Sequence, residues 1–149
     1  MHWVCLKFCE LSNMQLYQLL KLRVDVFVVE QNCPYPELDD KDHQEDVYHL
    51  LGYQADKLVA CARLLAPGIS YAQVSLGRIA IAKTHRQYGL GKLLLSTALQ
   101  QCEQYWPQQD IQIGAQVYLI NFYTHFGFKR HSADYLEDDI EHLDMLLSK

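Results

Sequence analysis

Apolar and polar residues alternate from Trp3 to Phe8, the two-residue period of a strand with one buried face. Ser12 stands three residues before Gln15, the spacing of a capping box. Behind it Met14, Leu16, Tyr17, Leu19, Leu20, Val24, Phe27 and Val28 recur at helical intervals, which predicts a helix over 13–30. Residues 32–46, NCPYPELDDKDHQED, hold two prolines and six acids and read as a loop on a solvated surface. Two strands over 47–54 and 58–65 follow, joined by Ala55-Asp56-Lys57 as a short-loop hairpin. Residues 73–82 form a further strand that ends in the apolar run Ile79–Ala82 of a central strand. From Gly89 to Trp106 the period turns helical, with Leu90, Leu93, Leu94, Ala98, Cys102 and Tyr105 on one face, and Pro107 ends it. Residues 111–118 alternate as a strand, 121–126 make a short helix closed by Gly127, and two strands over 127–133 and 140–147 flank an acidic turn at Leu136–Asp139.

The order is β-α-β-β-β-α-β-α-β-β, which implies an α+β or mixed α/β sheet with helices on both faces. The 149 residues suit a single domain over 1–149, with no repeat or low-complexity linker. The net charge of −5 argues against a nucleic-acid partner. No apolar stretch reaches the length of a membrane span, and the first residues lack a signal-peptide pattern. Five scattered cysteines without C-x-x-C, and histidines without paired ligand spacing, point to free thiols in the cytoplasm and to no metal site. The average charge hides an asymmetry. Residues 57–102 carry six Lys/Arg and no acid, while twelve of the 18 acids fall within 37–46 and 134–144.

That basic block contains the most informative segment, Ile79 to Lys92. A buried strand runs into a turn and the turn into a helix. Gly89 and Gly91 permit positive φ or close backbone approach to a ligand. The first helical N–H groups lack partners and, with the helix dipole, form an anion site to which Arg86 and Lys92 add charge. The chemistry suits a pyrophosphate. A P-loop would need Gly at 86 and Ser/Thr at 93, and a dinucleotide fingerprint would need Gly at 94; Arg86, Leu93 and Leu94 stand there instead. Arg86-Gln87-Tyr88-Gly89-Leu90-Gly91 matches R-x-x-G-x-G completely.

Here the sequence resembles the GNAT N-acetyltransferase family. The motif extends back to Ile81, and Phe122-Tyr123-Thr124-His125-Phe126-Gly127-Phe128 is similar to the family's (L/F)-Y-x-x-x-G-F. Leu22 to Tyr35, Gly77-Arg78-Ile79 and Asn121-Phe122-Tyr123 resemble its ElaA-type branch. The resemblance implies a GNAT-type acyl-CoA N-acyltransferase fold and a transfer of acetyl from acetyl-CoA to a small-molecule or peptide primary amine, by direct attack in a ternary complex. It implies that Arg86 and the N–H groups of Gln87, Tyr88, Gly89, Leu90, Gly91 and Lys92 hold the pyrophosphate. The backbone of Ile79, Ala80 and Ile81 would pair with the pantetheine arm, and Asn121 would face the cofactor. The alternative is a module that keeps the cleft but only senses acyl-CoA or binds a protein.

Transfer to an amine poses two proton problems: the attacking amine must be neutral, and the leaving thiolate must be stabilised. Tyr123 is the candidate acid for the thiolate. Glu30, at the end of the first helix, is the candidate base. His49 and Arg78 are candidate substrate-binding residues, and Arg78 has Glu30 as a candidate carboxylate partner. Cys33 is a weaker candidate nucleophile, Cys61 and Cys102 read as core thiols, and edge strands leave a homodimer open. The acidic clusters read first as surface charge that keeps the protein soluble.

Overall fold

The computed structural model describes residues 1–149. Its elements are β1 (His2–Lys7), α1 (Asn13–Val24), β2 (Val47–Gln54), β3 (Lys57–Leu65), β4 (Val74–Ile81), α2 (Leu90–Tyr105), β5 (Ile111–Gln116), α3 (Ile120–Thr124), β6 (Lys129–Arg130), β7 (Tyr135–Glu137) and β8 (Ile140–Leu147). They form one mixed sheet in the order β1-β2-β3-β4-β5-β8-β6, with β7 on β8. All neighbours are antiparallel except β4 and β5.

The Ser12 capping box forms in both directions: the Gln15 N–H donates to Ser12 Oγ, and the Ser12 N–H donates to Gln15 Oε1. The helix begins where its sequence says. Its end differs, because the regular α-helix stops at Val24 and the chain from Asp25 to Glu30 winds more widely. There the Gln31 and Cys33 N–H groups donate five residues back, to Val26 and Val28. The run Val24, Val26, Val28, Val29 crowds a tight helix with β-branched side chains, and such wide turns recur at functional sites.

The sheet separates two faces. One carries Leu64, Leu76, Ile111, Ile113, Ala115, Leu143 and Met145 into a core closed by Leu94, Leu95, Ala98 and Cys102 of α2 and by Tyr123 and Phe128. Full burial of each leucine there is worth roughly 1.5–3 kcal/mol. On the other face α1 packs Leu19, Leu22 and Val26 against Leu51, Cys61 and Ala80. Cys61 and Cys102 are the expected core thiols, each pushed up to about 12 by burial.

Three boundaries move. The fifth strand stops at Gln116, followed by a single tight turn at Val117–Leu119. The strand expected over 127–133 shrinks to Lys129–Arg130. Leu136 and Glu137, expected within the acidic turn, pair with β8 together with Tyr135, so only Asp138 and Asp139 make the turn.

Candidate active site

The cleft arises because β4 and β5 pair only at Val74↔Ile111 and Ser75↔Gln112. Beyond that the two strands part. The pairing of β3 with β4 slips from Arg63↔Gly77 to Cys61↔Ala80, so β4 holds one extra residue. Arg78 sits in that bulge with φ 52°, a left-handed conformation seldom adopted by a side chain of its size. The bulge breaks the ladder at Arg78 and Ile79, pairing with β3 resumes at Ala80, and beyond Ser75 the edge of β4 toward β5 is left unpaired. A cavity of about 900 Å³ opens there, lined by Ile79, Ala80 and Ile81 of β4, Ile113, Gly114 and Gln116 of β5, and Tyr123 of α3. Backbone groups released from strand pairing can bond an extended ligand along this wall.

One end of the cavity is the glycine turn. Tyr88 and Gly89 both have positive φ, 61° and 76°, and no side chain caps α2. The first amides of the helix are therefore unclaimed by the protein. Gly89 supplies the left-handed geometry. At Gly91 a Cβ would reach Ile81 and Phe122 at ordinary contact distance, so glycine here leaves the approach open rather than relieving a clash. Arg86, Gly89, Leu90 and Gly91 line the cavity, whereas Gln87, Tyr88, Lys92 and Asn121 are exposed and lie off its wall. Any contact of those four with a ligand is made at the rim.

Arg86 is already engaged. Its Nε donates to the Ile81 carbonyl at 3.0 Å, and its two terminal nitrogens grip both oxygens of Glu30, one at 2.9 Å. Glu30 lines the cavity. The hydrogen bond from Arg86 holds its carboxyl below the usual range, which makes it a weaker proton acceptor. Tyr123 is buried, its ring edge-on to Phe122 and Phe128. Burial, with Tyr118 adding to it, pushes its phenol upward, so the hydroxyl stays protonated and can only donate or accept as a neutral group. Cys33 lines the cavity too, but burial raises its pKa and its thiol donates to the Asp138 carbonyl. A protonated thiol is a poor nucleophile.

The loop over 32–46 corrects an expectation. It is no solvated strap: Glu37 and Asp42 are buried. Arg23, fully buried on α1, donates to Glu37 at 2.5 Å and to both oxygens of Asp42 at 2.7 and 3.1 Å. Arg63 of β3 joins Asp39 at 2.7 Å through two nitrogens and Asp42 at 2.8 Å. Arg78 pairs with Glu37 and Asp39, and Glu30 is not its partner. Burial alone would raise Asp39 and Asp42, yet the arginines hold both carboxyls below the usual range. His49 is a second correction. It sits behind this cluster, off the cavity wall, with Nε2 on the Asp42 carbonyl at 2.9 Å, and burial lowers its pKa. It braces the loop rather than meeting a substrate. A signal for the cluster was present: Arg23 stands on the apolar stripe of α1 between Leu19, Leu22 and Val26, where a lone cation would be intolerable.

Residues 21–149 match the acetyltransferase (GNAT) domain. The chain belongs to the GNAT acetyltransferase family. It is 43% identical over 143 residues to the protein ElaA of Escherichia coli strain K12, covering 96% of this chain and 94% of ElaA. The crystal structure of Escherichia coli ElaA superposes with a TM-score of 0.91, covering 97% of each chain. An acyl-CoA N-acyltransferase from Pseudomonas aeruginosa superposes at 0.93, with 38% identity and 99% and 100% coverage. The GNAT fold of this chain is thus the acyl-CoA N-acyltransferase fold, an eight-stranded mixed sheet with few helices.

Proposed function

We propose that this GNAT acyltransferase moves an acetyl group from acetyl-CoA to a primary amine by direct attack within a ternary complex. The observation that carries the reading is the cleft itself. An uncapped helix start with two consecutive positive-φ residues opens onto splayed strands, and a buried, protonated tyrosine waits midway along. The amides of Leu90, Gly91 and Lys92 hold the pyrophosphate. Arg86 exchanges its Glu30 partner for phosphate oxygens, so Glu30 serves as the counter-ion of the empty site. The pantetheine arm lies along Ile79–Ile81, whose N–H groups on the edge toward β5 polarise the thioester carbonyl; one such donor is worth roughly 2.7–4 kcal/mol of transition-state stabilisation. Tyr123 gives its proton to the departing sulfur.

Acetyl-CoA at 100 times its Kd should stabilise the fold by about 2.7 kcal/mol. At this chain length that raises Tm by roughly 5–10 °C. Amine-dependent release of free thiol then separates a catalyst from a sensor. Tyr123→Phe should lower kcat by about 10²-fold, the smaller end of acid catalysis, with acetyl-CoA affinity kept. No thermal shift with millimolar acetyl-CoA removes the reading, and an unchanged kcat removes Tyr123 from the acid role.

A further inference from the structure

The proton that the amine must lose needs an acceptor, and Glu30 is tied to Arg86. Side-chain parity across the sheet shows where another could be. Gln112, Gly114 and Gln116 of β5 point to the face opposite α2, and their partners Leu146, Asp144 and His142 of β8 share that face. Helix α1 covers this face only over β2, β3 and β4. Over β5 and β8 it opens into the cavity, and His142 forms part of the wall with Glu137 and Asp138.

His142 is built as a base. Its Nδ1 lies 2.7 Å from the Ile140 carbonyl. A carbonyl can only accept, so Nδ1 carries the proton and Nε2 presents a lone pair. The ring is held flat against Tyr135, 6.0 Å away and 18° from parallel. The Glu137 carboxylate lies 3.5 Å from Nε2, too long for a hydrogen bond. Two acceptors thus stand side by side, which suits an ammonium group that approaches from the cavity, donates to one and is balanced in charge by the other. The neighbouring groups do not compete. Asp144 accepts from the hydroxyls of Tyr71 and Tyr135 and from the Gln112 amide. Gln116, directly opposite His142, is bonded to Gln31. Asp138 borders the same wall, and the cavity's cations are engaged, Arg63 and Arg78 by the acidic loop and Lys41 by Ser70.

Resting on the acyltransferase reading, we infer that the acceptor enters over β5 and β8 as a cationic primary amine and that His142 Nε2 takes its proton, with Glu137 balancing the charge. The ammonium gives one proton to Nε2. The freed nitrogen attacks the thioester carbon, the C–N bond forms, and the C–S bond breaks. The nitrogen sheds its second N–H proton as the sulfur takes one from Tyr123, and that nitrogen proton restores the phenol by way of solvent. His142 later releases its own proton to water.

The test uses the full chain, saturating acetyl-CoA and an amine the wild type accepts. His142→Gln should lower kcat/KM by about 10²–10⁴-fold, with acetyl-CoA Kd unchanged. In His142→Ala, added imidazole should restore part of the rate. Glu137→Gln, on a side chain that is mostly exposed, should raise KM for the amine several-fold and leave that for acetyl-CoA alone. An intact rate in His142→Gln, beside an active wild type, overturns the base assignment only. An unmoved amine KM in Glu137→Gln overturns the cation site. A wild type that binds acetyl-CoA but releases no thiol with any amine overturns the acyltransferase reading, and this inference with it.

Discussion

The two acidic stretches, 37–46 and 134–144, carry six acids each and look alike on paper. In the fold they are opposites. Three acids of the first fold inward while Asp40, Glu45 and Asp46 stay exposed: Glu37 and Asp42 lose almost all exposure and Asp39 most of it, each facing two arginines planted on α1, β3 and β4. The second stays at the surface except for Asp144, which is half-buried under Tyr71, Tyr135 and Gln112. Asp134 meets only Arg130 at 2.5 Å, an exposed pair one helical turn apart in sequence, and Glu137 faces only His142. The difference lies in what stands opposite, not in the acids. Where the sheet and helix present guanidinium groups, acids become structure. Where they present a cleft wall, acids remain free to meet a ligand. The first stretch shapes the site indirectly, because Glu37 and Asp39 hold Arg78 in the positive-φ bulge of β4, the strand that forms one wall of the cavity.

Breaking the inward stretch should have the largest effect. In Arg23→Met, Glu37 retains Arg78 and Asp42 retains Arg63, but one of two partners is lost to each inside the fold. Removing one partner from a buried ion cluster costs about 3–5 kcal/mol, and the lower figure fits because each acid keeps an arginine. At this length that lowers Tm by roughly 6–12 °C, measurable by thermal or urea unfolding. The matched change in the outward stretch, Glu141→Gln on an exposed residue, should lie within about 0.5 kcal/mol of wild type. Equal losses in the two variants would erase the contrast.

Acid should separate the stretches less abruptly. His49 has a lowered pKa, so unfolding takes up a proton below the ordinary histidine value of about 6.5, and the stability present above that value is lost as pH falls. Asp39 and Asp42 are depressed as well, so the stability they provide is present above about 3.9 and is lost as pH falls toward their lower folded values. Unfolding followed from pH 8 to 3 should show a level region, a decline beginning near pH 6.5 and a steeper one below pH 4. Asp42→Asn should start less stable and show a flatter acid decline. The wild-type slope in that variant would remove Asp42 from the cause.

Much of this was legible in the chain, for reasons that are local. The Ser12–Gln15 box, the two-residue alternation of the strands and the strand–glycine–helix passage at Ile79–Lys92 each write their geometry in neighbouring residues, and all three stand where expected. So does Tyr123 on the cleft wall. What was not legible is long-range pairing. Arg23 meets Asp42 across 19 residues and Arg78 meets Glu37 across 41, and no spacing rule reaches that far. His142 was hidden for a similar reason. Its role depends on the parity of β8 against β5 and on β7, a three-residue strand concealed within an apparent turn.

A small effect of opposite sign is expected at that turn. Asp138 and Asp139 have φ of 49° and 62°, so the two-residue connection of β7 and β8 has the left-handed pair of a type I′ hairpin. Such turns favour glycine at the second position, because a side chain there crowds the following carbonyl. Asp139→Gly relieves that crowding but gives the unfolded chain more freedom, a cost of roughly 0.5–1 kcal/mol. Aspartate tolerates this conformation better than most residues, so the two nearly offset, and a net gain of a few tenths up to about 1 kcal/mol is expected. Asp139 has no part in the arginine cluster and lies off the cavity wall, so the amine KM should hold. Unfolding measurements on Asp139→Gly decide the point: an acid of the outward stretch can be removed without loss, while a destabilisation above about 1 kcal/mol would mean that this stretch too is held by its charges.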